Sequence, residues 1–215
     1  PNAVHALLNQ RFAISLTVTA LAAVLGFFQL ALAAILKNRR SLLSGLICMA
    51  FAASASTPAL HQLTATGIVP WYSLEIFCRY AIYGLSLILV LDLCGRQYRA
   101  LKAASYAAAL FPFLALAVSL LAPRLSCRQM VLFSHTAGTY KVLCSPWLLG
   151  TAFFSKTKQE PERDRTILLI GICISASSLA ADRPYPLFES NRFGWFSEIS
   201  GFLFVLLFSF LLLRD

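Results

Sequence analysis

From Phe12 to Leu36 the chain carries no charged side chain at all. The hydrocarbon core of a bilayer is roughly 30 Å thick, and about 20 apolar helical residues cross it. A segment that crosses alone must be helical, because each backbone N–H and C=O then finds its partner within the segment. More apolar runs follow, separated by short polar joints. Hydrophobic residues make up 59% of the 215 and charged residues 13%, whereas a soluble domain is about half apolar and about a quarter charged. The excess lies in continuous runs and not in alternation, which points to bilayer spans.

Seven spans are expected, at 12–36, 41–60, 70–91, 103–122, 129–154, 166–181 and 194–213. The chain is therefore read as an all-α polytopic membrane protein, a seven-transmembrane helix bundle forming a single transmembrane domain over residues 1–215. The joint from Lys37 to Arg40 is so short that the first two spans must form an antiparallel hairpin. No loop is long enough for a soluble domain. Both ends, at Pro1 and Asp215, read as cut, so flanking domains are expected beyond them. Ala50 with Ser54, and Ala103 with Ala107, have the small-xxx-small spacing that lets helices approach closely.

Loop charge sets the expected orientation. Lys37, Arg39, Arg40, Arg96, Arg99, Lys102, Lys156, Lys158, Arg163, Arg165 and Arg214 fall on one side of a seven-span chain. The other side holds Arg11, Arg124, Arg128, Arg183 and Arg192. The positive-inside rule puts the richer side in the cytoplasm, hence the N-terminus outside and the C-terminus inside. That requires an odd number of spans, and without the 166–181 span the 156–165 loop and the C-terminus could not share a side. Trp71, Tyr72, Trp195 and Phe196 mark the outer entrances of spans three and seven, as interfacial aromatics do. The net charge of +9 is accounted for by these loop clusters. Nucleic-acid binding would need a basic stripe on a folded soluble surface, and no nucleic-acid partner is expected.

Charges within spans are costly and mark either function or a packing pair. Glu75 and Arg79 are four residues apart on one helix face, with the acid first. They read as an outer polar pocket or as an ion pair that fixes packing. Lys141, near the middle of span five, wants a partner on another helix, with Glu198 and Glu75 as candidates. His135 lies six residues earlier, about 120° away around the helix, and reads as a hydrogen-bonded packing residue or a pH-sensitive element. Asp182 and Glu189 flank a loop containing Pro184 and Pro186, close to Trp195 and Glu198. This forms an acidic and aromatic mouth, with the mixed lining of a ligand site, or simply a rigid solvated turn.

Several chemistries lack their residues. The cysteines Cys48, Cys78, Cys94, Cys127, Cys144 and Cys173 are scattered without metal-ligand spacing. Most fall inside apolar runs and Cys127 is expected in a loop, so neither a disulfide framework nor a metal site is expected. Haem would want paired histidines on neighbouring spans, but His5 and His61 fall in the outer tail and loop. A retinal-type Schiff base at Lys141 lacks the carboxylate and aromatic pattern around it. There is no GxSxG, no HExxH and no phosphate-cradling glycine loop, so neither an enzyme nor a cofactor is expected within these residues.

The end of the chain carries a likeness. Leu179, Ala180, Ala181 and Asp182 lead into a short proline-containing loop and then Gly194 and Trp195. Ile199, Gly201 and Phe204 follow and run into Leu212 and Arg214. Together with the apolar span that ends in a basic hairpin at Arg40, this resembles the bacterial seven-transmembrane receptors with diverse intracellular signalling modules. The resemblance spans the chain by topology but about a third of it by pattern. It implies a sensory input module in a bacterial inner membrane, with a small-molecule or lipid ligand in its outer half and a homodimeric assembly. Glu75, Arg79, Lys141 and Glu198 would form its polar interior, and the seventh helix would carry the signal to a kinase or cyclase domain. A small ion, proton or solute transporter or channel is the alternative, favoured by charge on three spans.

Overall fold

The computed structural model describes residues 2–63, 68–93, 99–121, 124, 126–153, 166, 169–173 and 196–214. Among them the regular elements are all helices: α1 (Asn2–Leu36), α2 (Arg39–Leu63), α3 (Ile68–Leu93), α4 (Arg99–Ala108), α5 (Phe111–Leu121), α6 (Cys127–Phe153) and α7 (Phe196–Arg214). A further helical stretch covers 169–173. Among the described residues, three helical segments are long and apolar enough to cross a membrane: Phe12–Leu36, Ser73–Leu93 and Arg99–Leu121. The first has the bounds expected from sequence. The third joins α4 and α5 across a break at Ala109 and Leu110. The expected spans 41–60, 129–154 and 194–213 are helical over 41–60, 129–153 and 196–213 as α2, α6 and α7, while most of 166–181 lies outside the described residues.

The hairpin of α1 and α2 turns on two residues. Lys37 has φ 50°, the left-handed conformation that commonly closes a helix and that glycine adopts with least strain. Asn38 then caps α2: its Oδ1 accepts from Arg40 N at 3.0 Å, and its carbonyl accepts from Leu42 N at 3.1 Å. The side-chain bond satisfies a donor that a helix start leaves unpaired, and the carbonyl accepts the first bond of the helix ladder. The two helices run antiparallel, since Leu30 meets Gly45 and Ser15 Oγ donates to the Ala55 carbonyl at 2.6 Å.

At α6 the cap corrects the expected boundary. Ser126 N donates to Gln129 Oε1 at 2.9 Å, and Gln129 N donates to Ser126 Oγ at 3.4 Å. This reciprocal box starts the helix at Cys127, so Cys127 opens α6 and does not lie in a loop.

α3 is the central helix. Half of its apolar window is buried, against 28% for α1 and 22% for the α4–α5 segment. Ser86 to Leu91 are buried at six successive positions, so protein surrounds this part of α3 on every face. α2, α4, α5 and α6 pack against it, and α7 lies against α1 and α2. Phe204 and Val205 of α7 join one core with Val18, Ala22, Ile47, Cys48, Leu87 and Ile172.

Close approach depends on glycine rather than on the expected alanine pairs. Ala103 and Ala107 are exposed, and Ala50 and Ser54 are only half-buried. A Cβ at Gly45 would stand 2.8 Å from Leu30 Cγ and 3.1 Å from its backbone N. At Gly84 it would stand 2.9 Å from the Ala109 Cα, so the break between α4 and α5 rests on bare α3 backbone. The ring of Phe51 sits over Gly201 in the same way and seats α7 on α2. By contrast, nothing lies within 4 Å of a Cβ at Gly138. Gly84→Ala is therefore expected to destabilise the protein by about 1–3 kcal/mol through overpacking. Gly138→Ala should stabilise it by up to about 1 kcal/mol through helix propensity. Denaturation of both variants in detergent micelles checks the opposite signs.

Candidate functional site at a helix break

Of the residues singled out from sequence, the structure brings one pair together among the described residues. Arg79 Nη2 lies 2.7 Å from Glu75 Oε1 on α3, with the arginine side chain 46% exposed and the glutamate 25%. His135 is exposed on α6, where its carbonyl accepts from Thr139 Oγ1 at 2.9 Å. Lys141 and Glu198 are backbone positions on α6 and α7, and their side chains lie outside the described set. Asp182, Glu189 and Trp195 also lie outside the described residues.

A different constellation, not anticipated from sequence, gathers around Pro112. Proline has no N–H, and its ring excludes the carbonyl four residues earlier, here that of Ala108. The helix responds by stopping at Ala108 and restarting at Phe111. Ala109 N still donates to the Ser105 carbonyl at 3.0 Å, while Leu110 N reaches the Ala107 carbonyl at 3.1 Å in a tighter turn. The Ala108 carbonyl receives a donor from another helix: the Tyr140 hydroxyl of α6, at 3.1 Å. Leaving a buried carbonyl without a partner costs about 1–3 kcal/mol, so this contact matters to the fold.

Aromatic rings hold Tyr140 in place. Its ring stacks on Phe111 with centroids 4.2 Å apart and planes 13° apart. Tyr80 of α3 meets both rings edge-on, at 5.2 Å from Phe111 and 5.8 Å from Tyr140. Phe77 and Phe113 pair edge-on at 5.4 Å. Offset and edge geometries of this kind add about 0.5–1.5 kcal/mol per pair beyond area burial. Gly84 beneath Ala109 completes the clasp, so α3 and α6 both grip the joint.

A second polar constellation lies at one end of the bundle. Arg39 Nε pairs with Asp92 Oδ2 at 3.2 Å, and Arg39 Nη2 donates to the Tyr106 hydroxyl. Arg40 Nη2 donates to the Asp92 carbonyl at 2.9 Å, serving the open C-terminal end of α3. The hydrogen bond to Tyr106 holds the Arg39 pKa above its ordinary value and Asp92 adds to it, with partial burial pulling the other way. Sequence reading missed Asp92 and Tyr106. The signal for Asp92 was an acid closing an apolar run just before the basic residues Arg96 and Arg99.

Polar atoms also sit inside the bundle without partners. Gln29 of α1 is fully buried, and neither its Oε1 nor its Nε2 is hydrogen-bonded. The hydroxyls of Ser86 on α3 and Ser105 on α4 are likewise buried and unpaired. Among the described residues no three His, Cys, Asp or Glu side chains cluster as a metal site would require.

No family model, curated protein or solved structure matches this chain. If Tyr140 serves the carbonyl that Pro112 leaves open, the two residues are energetically coupled. Tyr140→Phe alone should cost about 1 kcal/mol, within the range of interhelical hydrogen bonds in membrane proteins. In a Pro112→Ala background the restored N–H can bond Ala108, so the same change should cost less. A double-mutant cycle in micelles measures the difference.

Proposed function

We propose that the chain is a membrane-embedded signal-input module of receptor type, whose movable element is the clasped break between α4 and α5. The observation that carries this reading is the Tyr140 hydroxyl on the Ala108 carbonyl. In this reading the break exchanges between a latched arrangement, held by the cross-helix bond and the ring stack, and a released one in which the Ala108 carbonyl finds another donor. A ligand that binds one arrangement more tightly shifts the balance by its differential affinity and no more. Glu75 and Arg79 stand on α3, the helix that carries Tyr80 and Gly84 into the clasp, and supply a polar feature for such a ligand. Lys141 follows Tyr140 directly on α6.

In this reading the bundle has seven spans, with the N-terminus outside and the C-terminus in the cytoplasm of a bacterial inner membrane. The meeting of the Lys37–Arg40 turn with Asp92 at one end supports grouping the first two basic clusters on one side. α7 lies against α1 and α2, meeting α2 through Gly201 against Phe51 and Ser209 near Cys48. It would pass the change inward to a kinase or cyclase domain after Asp215, with a homodimer as the signalling unit.

A cyclase catalytic domain fused behind Asp215 tests this without a known stimulus, because it is active only where ATP is present. Tyr140→Phe and Pro112→Ala are expected to change its basal output in opposite directions. About 1 kcal/mol of bias corresponds to roughly fivefold. A fusion that is inactive, or one indifferent to both substitutions, contradicts the proposal.

The buried, unpaired amide of Gln29 favours a second reading, a path for ions, protons or small solutes, since intramembrane polar groups often line such paths. Proteoliposomes discriminate: a proton or cation flux abolished by Gln29→Leu would replace the receptor reading.

A further inference from the structure

The basic end of the bundle holds more than a topology signal. Lys37, Arg39 and Arg40 occupy the α1–α2 turn. On α4, Arg99, Lys102 and Tyr106 follow one another at three- and four-residue spacing and so share one face. The two sets meet, because Arg39 bonds the Tyr106 hydroxyl and its guanidinium lies 5.9 Å from the centre of that ring. Lys37, Arg39, Arg99 and Lys102 are exposed. Among the described residues, the acid in contact with this array is Asp92, already bound to Arg39. The four exposed cations Lys37, Arg39, Arg99 and Lys102 outnumber that acid and leave a net positive surface, tied together by the Arg39–Tyr106 bond.

Directly below this surface the chain is apolar and open. Ile35 and Leu36 at the end of α1 are 76% and 64% exposed, and Leu42 and Leu46 on α2 are 45% and 41% exposed. A free phosphate would use only the cations. A phospholipid would use both layers, its phosphate on the cations and its acyl chains along these side chains. We propose that the Lys37–Arg40 turn and the Arg99, Lys102, Tyr106 face of α4 form a binding site for the headgroup of an anionic phospholipid. Tyr106 acts as the positioning residue that keeps Arg39 turned toward α4. Nothing in this depends on the receptor reading; it needs only that this end of the bundle lies at headgroup level.

The test uses the full chain in nanodiscs of mixed phosphatidylglycerol and phosphatidylcholine, with retained lipid identified by native mass spectrometry. The wild-type chain is expected to retain phosphatidylglycerol well above its share of the mixture. Each basic residue near a charged membrane surface contributes about 1 kcal/mol, or roughly fivefold. The combined Lys37→Gln, Arg99→Gln, Lys102→Gln variant should therefore lose at least roughly tenfold of that preference, after allowance for screening. Its three side chains are exposed, and retained helical circular dichroism confirms its fold. Removing Lys156, Lys158 and Arg163 instead should leave most of the preference intact. The proposal is overturned if the wild type shows no enrichment, if the first variant keeps it, or if both variants lose it equally.

Discussion

Pro112 takes away the donor that the Ala108 carbonyl would have in an unbroken helix, and apolar surroundings supply no water in its place. Much of the middle of the bundle is arranged around that deficit. Tyr140 crosses from α6 to provide the hydroxyl, and its ring is fixed by Phe111 and Tyr80. Gly84 lets α3 come close enough for Tyr80 to reach. α6 also contains a proline, Pro146, yet continues through it to Phe153. Proline alone does not decide where a helix breaks. The glycine beneath the joint and the hydroxyl beside it make the break tolerable at Ala109.

The same logic of close approach organises the rest. α1 and α2 meet backbone to side chain at Gly45, and α7 is seated by Phe51 over Gly201. In a bilayer, lipid tails solvate apolar side chains as well as other helices do, so association rests on fit and on hydrogen bonds rather than on hydrophobic burial. That is why small residues and a few polar contacts carry the architecture. At the basic end, Arg39 and Arg40 tie the α1–α2 turn to the end of α3, and Tyr106 ties it to α4. The joint is thus clasped in its middle and the helices around it are pinned at one end.

How much of this the sequence disclosed follows from the same physics. The helices and the antiparallel hairpin were legible because apolar runs of span length and the short joint from Lys37 to Arg40 leave few alternatives. The pairing of Glu75 with Arg79 was legible because it is local. Which face of each helix points inward was not, since protein-facing and lipid-facing sides are both apolar and carry no period. Ala103 and Ala107 show the consequence: their spacing suggested an interface, and they are exposed. Pro112 stood in plain view within an apolar run, but its meaning depends on Tyr140, 32 residues away. Asp92 became meaningful only once Arg39 and Arg40 were seen beside it. Cys127 was misplaced because the Ser126–Gln129 box was not recognised as a helix start.

The central claim, that Tyr140 donates to the carbonyl freed by Pro112, can be read directly from that carbonyl. Isotopic labelling of the Ala108 carbonyl separates its amide I infrared band from the rest of the backbone. In the wild type the band should lie at the lower frequency of a hydrogen-bonded carbonyl and move up in Tyr140→Phe. Under Pro112→Ala it should stay low whether residue 140 is tyrosine or phenylalanine. A band that is already high in the wild type, or that ignores Tyr140→Phe, would contradict the account.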